Sequence, residues 1–147
     1  LLLKDDIKIP TRANNNDAGI DVYSNEDYSL APNERKLFLL GFKGQFPDGW
    51  VCEVRSKSGR ALKEGLVVLN QPGTIDCNYL GEYGVILHNT ASNLGINWQA
   101  DQNIMIKKGE KIAQLVFVKC KTDFEIKVVE NLLETERNIG GFGSSGL

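Results

Sequence analysis

Lys111-Ile-Ala-Gln-Leu-Val-Phe-Val118 gathers Ile, Leu, Val and Phe into one short run behind the turn residues Lys107-Lys-Gly-Glu110. β-Branched and aromatic side chains sit well on a pleated surface, so such a run reads as a strand. The same chemistry recurs in Lys36-Leu-Phe-Leu-Leu-Gly-Phe42, Trp50-Val-Cys-Glu-Val54, Leu66-Val-Val-Leu69, Val85-Ile-Leu-His88 and Phe124-Glu-Ile-Lys-Val-Val129. Between these runs lie Ala31-Pro-Asn-Glu34, Pro47-Asp-Gly49, Gln71-Pro-Gly73 and Asn78-Tyr-Leu-Gly81. Their Gly, Pro, Asn and Asp supply the backbone angles and local hydrogen bonds that turns demand. Regular short strands with turns between them predict an all-β barrel or sandwich. One exception is Ser58-Gly-Arg-Ala-Leu-Lys-Glu-Gly65, which reads as one or two helical turns with Ser58 as N-cap and Gly65 just past the end. Thr90 to Asn103 is polar and reads as a surface loop.

With 147 residues the chain is expected to form one domain with a real core. Apolar content of 41% and charged content of 24% are ordinary for a soluble globular protein. A net charge of −2 argues against a general nucleic-acid binder, which normally carries a basic surface, but leaves room for a small anion held by local cations. No apolar run approaches the ~20 residues of a membrane span, and Leu1-Leu-Leu3 runs at once into Lys4-Asp-Asp6, unlike a signal peptide. Cys52, Cys77 and Cys120 are far apart and lack metal-ligand spacing, as expected of reduced thiols in a cytoplasmic protein. His88 is the sole histidine and reads as a strand residue.

Five segments carry chemistry. At the start of the helical turn, Ser58 and Gly59 would expose free backbone N–H groups, with Arg55, Lys57 and Arg60 close by. This is either an anion pocket or a plain capped helix with solvated charges. Asn70-Gln-Pro-Gly-Thr-Ile-Asp-Cys-Asn-Tyr-Leu-Gly-Glu82 reads as a hairpin. In it Asn70 offers an amide that can both donate and accept, Asp76 is either a turn-former or a general base, and Tyr79 supplies a flat face for a sugar. Gln114 interrupts an apolar strand and needs a polar partner, which is either a neighbouring strand or a ligand phosphate. Asp21, between Ile20 and Val22, is either a surface carboxylate or one turned inward toward a cation or metal-bound water. Finally, Arg137-Asn-Ile-Gly-Gly-Phe-Gly-Ser-Ser-Gly-Leu147 has little to bury and should be mobile on its own. Its glycines, Ser144 and Ser145 can curl N–H and O–H groups around an anion, Arg137 suits phosphate, and Phe142 can stack on a base. The segment reads either as a Gly-rich terminus or as a lid over a nucleotide.

These five segments, in this order, resemble the five motifs of the dUTPase family. Ala18-Gly-Ile-Asp21 is similar to the first, Lys57-Ser-Gly59 to the second, Gly73 to Glu82 to the third, Gly109 to Gln114 to the fourth and Arg137 to Gly146 to the fifth. Together with Ile9-Pro-Thr-Arg-Ala13 the likeness spans nearly the whole chain. Lys57 stands where the second motif usually carries Arg, and Arg60 where it is usually apolar. The resemblance implies a distorted jelly-roll β-barrel at residues 1–135 with a flexible C-terminal lid at 136–147, assembled as a homotrimer with active sites between subunits. It implies Mg²⁺-dependent hydrolysis of dUTP to dUMP and pyrophosphate. Asp76 would activate water for attack on the α-phosphorus, and Tyr79 would pack on deoxyribose. Asn70, with the backbone from Gly73 through Thr74 and Ile75 and at Gly84, would read uracil. Lys57, Ser58, Gly59 and Gln114 would hold phosphates. Arg137 would meet the γ-phosphate, Phe142 would cover the base, and Gly143, Ser144 and Ser145 would grip the triphosphate. Asp21 would lie near the water shell of Mg²⁺. The related dCTP deaminase branch would need a catalytic Glu in place of the Asp-centred hairpin, and the Phe-containing tail argues against it. An alternative is a dUTPase-like trimer that also acts as a regulatory protein-binding module, as some phage and viral members do. The expected location is cytoplasmic, the host cytoplasm if the chain is phage-encoded. Partners otherwise are dUTP and further copies of the chain, with no nucleic acid and no membrane.

Overall fold

The β-branched runs become strands, and their alternation decides which side chains turn inward. The computed structural model describes residues 1–91, 103–136 and 138–139. In chain order the strands are β1 (Ile20–Tyr23), β2 (Tyr28–Leu30), β3 (Arg35–Leu39), β4 (Trp50–Arg55), β5 (Leu66–Val68), β6 (Gly73–Asp76), β7 (Gly84–Asn89), β8 (Ile104–Ile106) and β9 (Lys111–Lys119). They form three antiparallel sheets ordered β1-β9-β4-β6, β3-β7-β5 and β2-β8. The expected all-β class with one short helix is the observed one. Along β7, Val85, Leu87 and Asn89 are buried while the residues between them are half-buried. Cys52 on β4 is paired with Ile75 on one side and Phe117 on the other, and all three point to the same interior face. Val22, Leu30, Phe38, Leu87 and Ile106 close the core around them, each fully buried large side chain contributing about 1.5–3 kcal/mol. His88 lies on β7 as expected, with Nε2 3.2 Å from Asn33 Oδ1. Cys52, Cys77 and Cys120 are free thiols.

Several expectations change. The strand foreseen over Lys36–Phe42 stops at Leu39, because Gly41 takes a left-handed backbone (φ 72°) and breaks the ladder before Phe42. Gly41 N donates instead to Glu82 Oε1 (2.7 Å), and a Cβ at Gly41 would run into Ile7. The hairpin foreseen over Asn70–Glu82 is not a paired hairpin. β6 pairs with β4, and β7 pairs with β3 and β5, so the turn at residues 77–83 crosses between two sheets. Phe124–Val129 forms no strand. No described strand lies beside it to take its backbone hydrogen bonds, and Phe124, Ile126, Val128 and Val129 are exposed. The helix α1 (Ser58–Glu64) exists, but Lys57, in extended conformation, is its N-cap and makes no side-chain cap. Ser58 is already the first helical residue, so it cannot serve as N-cap. Gly65 ends the helix as expected (φ 71°), donating its N–H to Ala61 O. Of the Thr90–Asn103 loop, residues 92–102 lie outside the described residues.

Candidate active site

The crossing from β6 to β7 opens a cleft between the two larger sheets. Its cavity of about 290 Å³ is lined by Asn70, Gly73, Thr74, Ile75, Asp76, Tyr79 and Gly84, the residues expected to serve the base, the sugar and the attacking water, joined by Leu37, Leu39, Val54, Glu82, Tyr83 and Ile86. The backbone explains the grouping. β6 alternates, so Gly73 and Ile75 are buried while Thr74 and Asp76 are exposed. Asp76 ends the strand, and its carbonyl accepts from Tyr79 N (3.1 Å), closing a turn that brings Tyr79 back to the cleft. The Tyr79 hydroxyl donates to Glu82 O (3.2 Å), which holds the ring at the rim, 47% exposed. Tyr83 lies beneath it, buried, and burial pushes its phenol up to about 12. The cavity therefore has an apolar floor, an edge of backbone amides, one aromatic wall and one carboxylate. That composition suits a planar heterocycle with a sugar.

A second cavity of about 300 Å³ lies on the β1–β9 side of the four-stranded sheet, lined by Ala13, Asp17, Ala18, Gly19, Asp21, Lys57 and Gln114. Asp21 turns inward and is 6% exposed. Its Oδ1 accepts from Lys57 Nζ and its Oδ2 from Lys111 Nζ (2.6 Å). Burial raises the Asp21 carboxyl, but hydrogen bonds and charge from Lys111 and Lys57 outweigh it, so the group titrates below the usual carboxylate range. Lys111 is correspondingly raised by its hydrogen bond to Asp21. Gln114 lies in register with both Asp21 and Arg55, and its Nε2 donates to Ser56 O (2.9 Å). Its polar partner within the chain is thus backbone on a neighbouring segment. Its Oε1 faces Gly19 so closely that a Cβ there would collide with it. Ser58 and Gly59 stand exposed beside this cavity at the start of α1.

The three cations expected either to form an anion pocket or to be solvated are each paired with a carboxylate. Arg55 binds Glu53, Arg60 binds Glu64 and faces Glu110, and Lys57 binds Asp21. Arg55 and Arg60 each find a carboxylate on their own strand or helix, whereas the Lys57–Asp21 and Arg60–Glu110 pairs join segments far apart in the chain. Lys111 was not singled out from the sequence, although it lies inside the fourth segment, and Leu37, Leu39 and Tyr83 were missed because nothing local marks a strand face as a cavity wall. The alternation of exposed Leu37 and Leu39 on β3 is the signal that was available. Arg137, Phe142, Gly143, Ser144 and Ser145 lie outside the described residues. The two cavities share no lining residue. Among the described residues no group of three or more His, Cys, Asp or Glu side chains could hold a metal ion, and no helix is long and apolar enough to cross a membrane.

Comparison with known proteins points to one family. The dUTPase family model matches residues 5–146. The deoxyuridine 5'-triphosphate nucleotidohydrolase of Clostridium tetani is 43% identical over 145 residues, covering 99% of this chain and 93% of that protein. The enzyme of the same name from Clostridium kluyveri is 44% identical over 138 residues, covering 94% and 90%. Among solved structures, the dUTPase of Staphylococcus bacteriophage 80alpha with dUpNHpp superposes with a TM-score of 0.85 at 30% identity, covering 100% of this chain and 96% of that one. A mutant dUTPase from phage phi11 of S. aureus, described with a coordinated structural Mg(II) ion, gives a TM-score of 0.78 at 30% identity, covering 89% and 95%. A family match over nearly the whole chain, relatives above 40% identity and the same jelly-roll-like β fold together mean that this chain belongs to the dUTPase family of dUTP-hydrolysing enzymes.

Proposed function

We propose that the β6–β7 cleft binds the deoxyuridine part of dUTP and that Asp76 is the general base of its hydrolysis. The observation that carries this reading is the grouping of Asn70, Asp76, Tyr79 and the Gly73–Ile75 backbone around one cavity. Asn70 and the cleft-lining backbone at Thr74, Ile75 and Gly84 would offer the donors and acceptors that a uracil edge needs. Tyr79, held at the rim, leaves no room for a 2′-hydroxyl. The Asp76 carboxylate takes a proton from water. The water oxygen bonds to the α-phosphorus as the bond to the bridging oxygen breaks. dUMP and pyrophosphate are the products. Positioning and electrostatics do most of the work in such a transfer.

The Asp21 cavity takes the phosphates, through Lys57, the Ser58 and Gly59 N–H groups and Gln114. The residues there fit a metal carried by substrate rather than by a protein cage. Asp21 is the one buried acid among the described residues, and both its oxygens already accept from ammonium groups, so it meets a cation best through water. Mg²⁺ bound on the phosphates would neutralise charge on the pyrophosphate leaving group. The base cleft and the phosphate cavity share no lining residue in one chain, which supports the reading that each site is completed by another subunit of a homotrimer. Arg137, Phe142, Gly143, Ser144 and Ser145 act as a lid formed by residues 136–147 over the barrel domain of residues 1–135. The free thiols suit a cytoplasmic setting. No feature among the described residues favours a regulatory protein partner over this reading.

The test is Asp76→Asn. Turnover should fall by about 10²–10⁴-fold while dUTP binding is retained, because the amide keeps the shape but cannot take the proton. Pyrophosphate release measured beside calorimetric binding decides it, and near-normal turnover in the folded variant removes the assignment.

A further inference from the structure

Helix α1 is an unusual place for a closed-off arginine. It has seven residues, none of them buried, so apolar packing does little to seat it. Yet the Arg60 side chain is only 15% exposed. A charged group withdrawn from water in this way needs a compensating arrangement. Glu64, one turn on, takes Nε (3.0 Å) and Nη2 (2.6 Å). The remaining Nη1 is buried, makes no hydrogen bond and lies 3.6 Å from Glu110 Oε2, an ion pair across to a different element. Glu110 is itself anchored. Its Oε2 accepts from Lys107 N (3.1 Å), and its carbonyl accepts from Ser24 N (2.9 Å) just beyond β1.

The next residue is Lys111, whose ammonium holds one oxygen of Asp21 while Lys57, at the mouth of α1, holds the other. Helix and strand are therefore tied twice: by Lys57–Asp21–Lys111, and by Arg60–Glu110 one helical turn away. We propose that Arg60 is a positioning residue of the phosphate-binding cavity: its guanidinium, gripped by Glu64 and directed at Glu110, sets the spacing between α1 and the start of β9, and so the placement of Lys57 and Lys111 about Asp21. This rests on the reading that the Asp21 cavity takes the phosphates of dUTP. When phosphate draws Lys57 off Asp21, the first tie loosens and the second keeps the helix in register. Arg60 need not touch the substrate.

The experiment uses the full-length protein with Mg²⁺ and measures inhibition of dUTP turnover by inorganic pyrophosphate and, separately, by deoxyuridine. Arg60→Met should weaken pyrophosphate inhibition by about three- to ten-fold and leave deoxyuridine inhibition within about two-fold, since the base cleft is a different cavity. Arg60→Lys should recover part of the loss. Glu110→Gln should act in the same direction, and the double variant Arg60→Met/Glu110→Gln should be no worse than the poorer single one, because both remove one contact. Equal weakening toward both inhibitors would mean general loosening and would overturn the proposal. Unchanged pyrophosphate inhibition in Arg60→Met, with clear loss in Lys57→Met, would overturn it as well. If Lys57→Met also leaves pyrophosphate inhibition intact, the cavity is not the phosphate site, and the proposal falls together with the reading beneath it.

Discussion

Replacing Asp21 by Asn tests how much the two-lysine cradle stabilises the fold, and the pH dependence of the loss tests the cause. Asp21 is 6% exposed and accepts from Lys57 and Lys111, whose side chains are 26% and 44% exposed. Breaking a fully buried pair costs about 3–5 kcal/mol, because the surviving charge is stranded. A fully exposed pair is worth about 0–1 kcal/mol. Here the acid is buried but both surviving ammonium groups can turn to water, so the expected cost lies between these limits, at about 2 kcal/mol. For a chain of this size that corresponds to a fall of roughly 4–8 °C in Tm. The sign with pH follows from the lowered Asp21 pKa. A carboxyl that titrates lower when folded contributes stability above its unfolded value of about 3.9 and loses it as pH falls through the folded value. The gap between Asp21→Asn and the parent should be full at pH 7 and close progressively below about pH 4. Thermal unfolding at matched protein concentration over that pH range is the assay. A gap that stays constant down to about pH 2 would mean the loss comes from packing of the amide, not from the ion pairs, and would refute the reasoning.

Gly19→Ala places a methyl against the Gln114 carboxamide. It should cost about 1–3 kcal/mol in denaturant unfolding and weaken dUTP binding with it, as expected of overpacking beside a site. Mg²⁺ alone should give no tight calorimetric binding to the ligand-free protein, given the lack of an acidic cluster among the described residues, while chelation should cut turnover sharply. Removing the residues after Arg137 should lower catalysis strongly with the β-barrel fold and oligomer retained. Those residues carry only Ile139, Phe142 and Leu147 as large apolar side chains among Gly, Ser and Asn, too little burial for the core to depend on. Circular dichroism and gel filtration beside the activity assay check the two halves of that expectation.

The strands β4, β7 and β9 were legible because each is a run of apolar side chains whose burial is decided by the run itself. Their boundaries shifted by one or two residues at most. β2 and β8 were not legible. Each has three residues, too few to show a period, and each exists because it finds the other across the chain. Phe124–Val129 shows the converse. It has as strong a strand composition as any other segment, and no described strand to pair with. Propensity measures fit to a pleated surface, and a partner is what makes the surface.

The same division runs through the site. The chemistry of Asp76, Tyr79 and Asn70 was readable along the chain because the three fall within ten residues and their kinds suit a base, a ring and an amide edge. That they line one cleft depends on β6 leaving its sequence neighbours to pair with β4, a choice made by shape and core packing across the whole molecule. Asp21 marks the boundary most clearly. Local alternation with Ile20 and Val22 left it either outward or inward. It turns inward because two ammonium groups from separate elements, at the mouth of α1 and the start of β9, meet its two oxygens and offset the cost of burying a charge. Periodicity reports on neighbours along the chain, whereas the sign and placement of a buried charge depend on partners brought together only when the sheets close.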